Sequence, residues 1–100
     1  MKTFYCPYFD DNVELTDERI LHIRQKHPDV EPFIPKIQDV LSSPELIRQK
    51  YEVLLFSLHL KEIRKNLVVI IKQKKERNFI LTYYLTSKIK GGEILWTKKD

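Results

Sequence analysis

The sequence predicts an α+β fold in which one or two N-terminal helices pack on an antiparallel sheet of three or four strands. Two observations predict it. Apolar residues follow a helical spacing in the first half of the chain, and β-branched and aromatic runs joined by short turns fill the second half. Helices and strands that are segregated along the chain are typical of α+β proteins. A chain of 100 residues has the length of one domain, so residues 1–100 are expected to form a single domain.

Two helices are predicted in the first half. The first begins at Thr16, which can cap it, continues through an acidic first turn and stops before Pro28, at Lys26 or His27. The second has Pro35 near its first turn and ends at the Ser-Ser-Pro sequence of residues 42–44. Its apolar positions follow a helical period and are Ile34, Ile37, Val40 and Leu41.

Three long strands are predicted in the second half, at Val53–Leu60, Leu67–Lys75 and Arg77–Thr86. The short connections between them indicate antiparallel hairpins, because a parallel link needs a crossover segment. Thr3–Tyr8 is a candidate edge strand. Glu93–Thr97 is either a last short strand or a segment that covers the sheet.

The composition is moderately basic, with a net charge of +4. Such a charge has two explanations, an ordinary solvated surface or a polyanion partner such as RNA. Clustering favours the partner, since Lys72, Lys74, Lys75 and Arg77 crowd one hairpin and Lys88, Lys90, Lys98 and Lys99 crowd the C-terminus. The only glycines are the adjacent Gly91 and Gly92, which excludes glycine-rich phosphate loops, and no cofactor is expected.

The single cysteine, Cys6, cannot form an intramolecular disulfide. It has no second cysteine near a histidine, so its spacing predicts no metal site, and a small buried residue is the simplest assignment. The N-terminal residues do not resemble a signal peptide, and no apolar run has membrane-spanning length. The sequence therefore predicts a cytoplasmic protein without a membrane association.

Alternation along the strands sorts residues onto two faces of the predicted sheet. One face is apolar and is expected to lie under the helices, with Phe79, Leu81, Tyr83 and Leu85 from the last long strand. The opposite face is mixed and carries Ser57, His59, Thr82 and Tyr84, with Lys72 from the middle strand. One face of an antiparallel sheet often meets water for no functional reason. The mixture of imidazole, hydroxyl and lysine alternatively suggests a platform for RNA.

Two histidines, His22 and His27, lie five residues apart on the first predicted helix. This spacing separates them by about 140° around the axis, so they cannot share one metal ion as a pair four residues apart can. His27 shares a side with the apolar residues, and His22 points away. His27 can either bond the last carbonyls of the helix or act as a general acid or base.

Several short stretches resemble the small phage-type nucleases of the barnase–EndoU–colicin–RelE superfamily. They are Glu18–Ile23 with Lys26–Pro28, Ser43–Ile47 and Phe79–Tyr84. The resemblance spans about Leu15 to Thr86 and implies helices followed by an antiparallel sheet of about four strands, as in RelE. It also implies metal-independent cleavage of RNA. The family's helix histidine corresponds to His27 or His22, its strand threonine to Thr82, and its basic residues loosely to Lys72 or Arg77. The middle strand departs from the pattern, because it offers no arginine before Lys72.

The expected mechanism uses the 2′-OH of RNA as the nucleophile. His27 or His59 would move protons, Lys72 and Arg77 would offset phosphate charge, and Ser57, Thr82 and Tyr84 would contact substrate. If the helix covers one face and Thr82 lies on the other, His27 and Thr82 can meet only at the sheet edge. Otherwise His59 is the better candidate.

Two alternatives remain at this point. One is a non-catalytic domain that binds nucleic acid. The other is a protein-interaction module of a toxin–antitoxin-like pair, with an acidic partner that covers the basic hairpin. A toxin would have such an antitoxin-like partner as well.

Overall fold

The computed structural model describes residues 1–98. Seven strands, two α-helices and one 3₁₀ segment follow one another along this part of the chain. They are β1 (Lys2–Cys6), β2 (Asp11–Leu15), α1 (Asp17–Lys26), a 3₁₀ segment (Pro28–Lys36), α2 (Ile37–Ser42), β3 (Leu46–Lys50), β4 (Val53–Leu60), β5 (Lys65–Lys74), β6 (Arg77–Thr86) and β7 (Glu93–Thr97).

The strands form one mixed sheet in the order β1-β2-β6-β5-β4-β3-β7. β2 and β6 are parallel, and all other neighbouring pairs are antiparallel. The prediction of N-terminal helices on a three- to four-stranded antiparallel sheet, similar to RelE, is therefore wrong. The sheet has seven strands, one pair is parallel, and the helices lie between β2 and β3 rather than at the N-terminus.

The additional strands have weak local signals. β2 begins with Asp11 and Asn12, which are typical of turns, yet its Val13 and Leu15 are fully buried. β3 carries Arg48 and Lys50 among its five residues. Strand formation depends on what a segment pairs with and packs against, and here the tertiary partners outweigh the local composition.

The first helix follows the sequence signals closely, whereas the first turn predicted for the second helix, at Ile34 and Pro35, is part of a 3₁₀ segment. Thr16 caps α1 as predicted, because its side chain accepts a hydrogen bond of 3.2 Å from the backbone N–H of Arg19. The segment before α2 is a 3₁₀ helix that contains Pro32 and Pro35, which lack the N–H of a regular helix. No helix within residues 1–98 is long and apolar enough to cross a membrane.

The helices cover one face of the sheet, which we call the helix face. α2 lies against β1, β4 and β5, while α1 and the 3₁₀ segment lie against β6. The side chains that the central strands contribute to this face are apolar and buried. They are Leu54, Phe56, Leu67, Val69, Ile71, Ile80 and Tyr83. They form one core with residues of the helices and the 3₁₀ segment, namely Ile23, Val30, Ile37, Val40 and Leu41.

The opposite face is crossed by the connection from β6 to β7, residues 87–92. We call this connection the crossover and the face beneath it the crossover face. β7 lies at the far edge of the sheet from β2, and the crossover reaches it over this face, where the carbonyls of Lys90 and Gly91 contact Arg48. It explains why Leu55, Ser57 and Val68 are buried although no helix covers them.

A β-bulge at Leu81 changes the predicted assignment of faces. The register passes from Thr82 opposite Ile70 to Ile80 opposite Ile71, so Leu81 has no partner of its own. Phe79, opposite Lys72, therefore lies on the crossover face with Thr82 and Tyr84. The predicted alternation placed Phe79 with Tyr83, which is wrong because alternation holds only where the register is continuous.

Candidate functional site

Within residues 1–98, the second half of β6 has a neighbouring strand on one side only, and on the other side it faces α1. Its parallel neighbour β2 pairs only with Asn78 and Phe79, and α1 runs alongside the remaining residues. At the end of α1 the imidazole of His27 lies against the ring of Tyr84, with 5.9 Å between the ring centres and 34° between their planes. His27 and the crossover face thus meet at the sheet edge, which is one of the two arrangements that the sequence left open.

The local structure leaves the His27 ring free of helix capping. The backbone N–H of His27 caps α1 by donating a 2.7 Å hydrogen bond to the carbonyl of Ile23. Its φ of −132° takes the chain out of the helix, and Pro28 follows. The imidazole is half-buried and lies beside Tyr84, and its ring is not needed to cap the helix.

A cavity of about 500 Å³ lies between β6 and the crossover. Arg48 from β3 and Tyr84 from β6 line it together with residues from 86 to 90. Nη1 of Arg48 donates to the carbonyl oxygen of Lys90 at 2.7 Å and to the carbonyl oxygen of Gly91. The guanidinium is thereby held on the crossover face, beneath the chain that crosses it.

Arg48 is a buried cation without a matching anion. Its residue surface is 4% exposed, and within residues 1–98 no carboxylate forms an ion pair with it. Its Nε has no hydrogen-bond partner in the same part of the chain. Burial lowers the pKa of Arg48 and the Tyr84 phenol opposes that shift, but an arginine stays charged at neutral pH. A charge left uncompensated in this way favours binding of an anion.

Gly92 lets the crossover approach β3. Its φ is +83°, and a Cβ at this position would lie 2.9 Å from the carbonyl oxygen of Gln49. A side chain is therefore excluded both by backbone conformation and by space. Gly91 also has a positive φ, +75°, and its carbonyl is one of the two that hold Arg48.

The two predicted hydroxyl residues differ in access. Thr82 is half-buried and lies in one row across the strands with Ile70, Leu55 and Arg48. Ser57 is only 1% exposed, and its Oγ lies 3.4 Å from the carbonyl oxygen of Leu46. Thr82 is thus partly accessible on the crossover face but does not line the cavity, whereas Ser57 is covered.

The other two histidines lie apart from this cavity. His59 is exposed at the end of β4, where its Nδ1 is 3.3 Å from Oδ1 of Asn66 and its backbone N–H donates to Glu45. His22 is exposed on the outer side of α1. Neither is brought to Tyr84 or Arg48.

Lys72 and Arg77 belong to a separate group around Phe79. Nζ of Lys72 lies 3.6 Å from a carboxylate oxygen of Glu52, and Arg77 forms a two-pronged ion pair with Glu14. The hydrogen bond from Arg77 holds the pKa of Glu14 below its usual range. Of the predicted C-terminal lysines, Lys99 lies outside the described residues.

Arg48 is the residue that sequence reasoning missed. The departure noted for the middle strand concerned an absent arginine, and β3 supplies one from two strands away. The available signals were the loose alternation of residues 45–50 and the adjacent glycines, which indicate a close backbone approach.

Comparisons of the chain with protein-family models, with curated proteins and with solved structures give no match. Within residues 1–98, no three His, Cys, Asp or Glu side chains group closely enough to hold a metal ion. The candidate site therefore consists of His27, Tyr84 and Arg48, with Thr82 on the same face of β6 as Tyr84.

Proposed function

We propose that the protein is an endoribonuclease of the toxin type that acts on RNA in the cytoplasm without needing a metal ion. One observation supports this proposal most. The imidazole of His27 lies against Tyr84, and Arg48, a cation without an ion pair, lines a cavity together with Tyr84. Imidazole suits proton transfer near neutral pH, and a guanidinium suits the charge of a phosphate.

The proposed reaction uses the substrate's own 2′-OH. His27 accepts its proton as the oxygen attacks the adjacent phosphorus, and the bond to the 5′-oxygen breaks as that oxygen takes up a proton from water. Arg48 offsets the additional negative charge on the phosphate oxygens, while Thr82 and Tyr84 donate hydrogen bonds that orient it. The products are a 2′,3′-cyclic phosphate and a 5′-hydroxyl.

The test is cleavage of labelled RNA in the presence of EDTA. His27→Ala and Arg48→Gln are each expected to lower the rate by about 100-fold or more. His22→Ala and His59→Ala are the matched controls, because both histidines are exposed and remote from Tyr84. An RNA with a 2′-deoxy residue at the cut position should resist cleavage.

Three results would contradict this proposal. A requirement for a divalent metal would overturn the mechanism. Full activity of both His27→Ala and Arg48→Gln would overturn the assignment of residues. Salt-dependent RNA binding without any cleavage by the wild type would favour a non-catalytic RNA-binding domain instead.

An exposed edge strand favours a second function, protein interaction as half of a toxin–antitoxin-like pair. β7 is the last strand of the sheet, and all five of its residues are exposed. Ile94 is 61% exposed and Trp96 is 40% exposed, although an edge of this kind is normally shielded. A strand of an acidic partner can pair with β7, and the basic net charge favours such a partner.

Growth rescue tests this second function. If expression of the protein arrests growth, co-expression of a small acidic protein encoded beside it should restore growth. Ile94→Asp on β7 should abolish the rescue, whereas Leu21→Asp, at a similarly exposed position on α1, should not. Rescue that is equal for both variants would exclude β7 as the contact surface.

A further inference from the structure

The bulge at Leu81 brings two aromatic rings of β6 to the same face. Phe79 and Tyr84 are an odd number of residues apart, so a regular strand would direct them to opposite faces. With the bulge, Phe79 lies opposite Lys72 and Tyr84 opposite Val68, which are four residues apart on β5. The two rings are therefore about 13 Å apart along the strand direction, on the crossover face.

Phe79 is flanked by cations. The guanidinium carbon of Arg77 lies 5.2 Å from the centre of its ring, and Lys72 is its neighbour on β5. A cavity of about 320 Å³ beside the ring is lined by Arg19 and Lys74 as well as by Glu14. An aromatic ring in a cationic groove is the arrangement that proteins use for single-stranded nucleic acid.

The charges around this cavity are unevenly compensated. Arg77 is paired with Glu14 and Lys72 with Glu52. Arg19 and Lys74 form no ion pair within residues 1–98. Two cations thus remain for phosphate groups, while the carboxylate of Glu14 is placed where it would repel a phosphate and accept a hydrogen bond from a base.

We propose that Phe79 and its cations form a second nucleotide subsite for the strand of RNA that is cut at Tyr84. A base stacks on Phe79 inside the cavity, and Arg19 and Lys74, which line the same cavity, bind the phosphates that flank this base. The inference rests on the proposed function, and it specifies the substrate further. The substrate is single-stranded and several nucleotides long, because a paired base cannot stack on a protein ring.

Length dependence of binding tests the subsite. The probes are a dinucleotide and a hexanucleotide of single-stranded RNA, both 2′-O-methylated so that they cannot be cut, and affinity is measured by fluorescence anisotropy. The wild type should bind the hexanucleotide more tightly than the dinucleotide. Phe79→Ala should lower the hexanucleotide affinity by about 5- to 100-fold, the range expected for one stacked base.

Three further variants separate stacking from general damage. Phe79→Tyr keeps an aromatic ring and should restore the hexanucleotide affinity. Arg19→Gln with Lys74→Gln should reduce the salt dependence of hexanucleotide binding by about two phosphate contacts. Trp96→Ala is the control, because Trp96 is an exposed aromatic residue on β7 at the far edge of the sheet. It should leave the preference for the longer RNA unchanged.

The outcomes distinguish this inference from the proposed function. If the wild type cuts RNA but Phe79→Ala keeps the full preference for the hexanucleotide, the subsite is wrong and the nuclease stands. If the wild type binds the hexanucleotide through Phe79 but cuts no RNA, the nuclease is wrong and the subsite stands. If the wild type binds neither probe, both proposals are overturned.

Discussion

The two faces of the sheet are built from alternate residues of the same strands, yet they bury different chemistry. The helix face buries Phe56, Ile71 and their apolar neighbours under the helices. The crossover face buries a hydroxyl at Ser57 and a guanidinium at Arg48 under the crossover. Apolar burial stabilises a fold, whereas burial of an unpaired charge opposes it. The helix face therefore supplies stability, whereas the unpaired charge of Arg48 lowers it on the crossover face.

The largest expected effect lies on the helix face. Phe56 is fully buried, so Phe56→Ala should lower the free energy of unfolding by about 3–5 kcal/mol. Urea denaturation followed by circular dichroism measures the change. Leu21→Ala is the control, since Leu21 is 60% exposed, and it should change stability by no more than about 0.5 kcal/mol. Equal effects of the two substitutions would contradict the assignment of the core.

Arg48→Met, on the crossover face, should not destabilise the protein, in contrast to Phe56→Ala. Replacing a buried charge by an apolar side chain of similar length should leave the free energy of unfolding unchanged or raise it by about 1 kcal/mol. The same variant should lose affinity for RNA, because the phosphate loses its cation. Denaturation and RNA titration on one preparation measure both effects. A loss of stability as large as that of Phe56→Ala would show that Arg48 serves the fold instead.

Tyr83 and Tyr84 are consecutive residues that point to opposite faces, so the same substitution can be compared on the helix face and on the crossover face. The hydroxyl of Tyr83 is buried without a hydrogen-bond partner in the described part of the chain, and burial raises its pKa. Tyr83→Phe should therefore raise the free energy of unfolding by about 1 kcal/mol. Tyr84→Phe, at a half-buried position, should change it by less than about 0.5 kcal/mol. Destabilisation by Tyr83→Phe would reveal a partner for that hydroxyl.

The smallest effect concerns pH and the ion pair between Glu14 and Arg77. Because the pKa of Glu14 is lowered in the folded protein, its stabilisation is present above the ordinary carboxyl pKa. It is lost as the pH falls through the lowered value. Arg77 is 61% exposed, so the effect is small. The urea midpoint of the wild type should exceed that of Glu14→Gln at pH 7, and the difference should shrink as the pH falls through the lowered pKa of Glu14. A difference that grows on acidification would contradict the pairing.

The sequence was informative where local and tertiary preferences agree. The strand predicted at Val53–Leu60 is β4, the strand predicted at Arg77–Thr86 is β6, and the Thr16 cap of α1 is confirmed. β2 and β3 were not predicted as strands, because their polar residues suit a strand only once partners cover it. Of the site, the sequence left open a meeting of His27 with the Thr82 face at the sheet edge, but it did not predict that Tyr84 is the residue beside His27. Arg48 was not predicted either, because its position depends on the register between β3 and β4 and on the approach of the crossover at Gly92.

The parallel pairing of β2 with β6 also has a consequence for synthesis on the ribosome. β2 is made early and β6 late, so the β1–β2 hairpin leaves the exit tunnel long before its partner exists. Contacts between such distant parts of a chain form slowly and only after both have emerged. α1 has no sheet edge to lie along until then, and the carbonyls that hold Arg48 emerge later still. A nascent chain that carries every proposed catalytic side chain therefore lacks their arrangement until β6 and the crossover are in place.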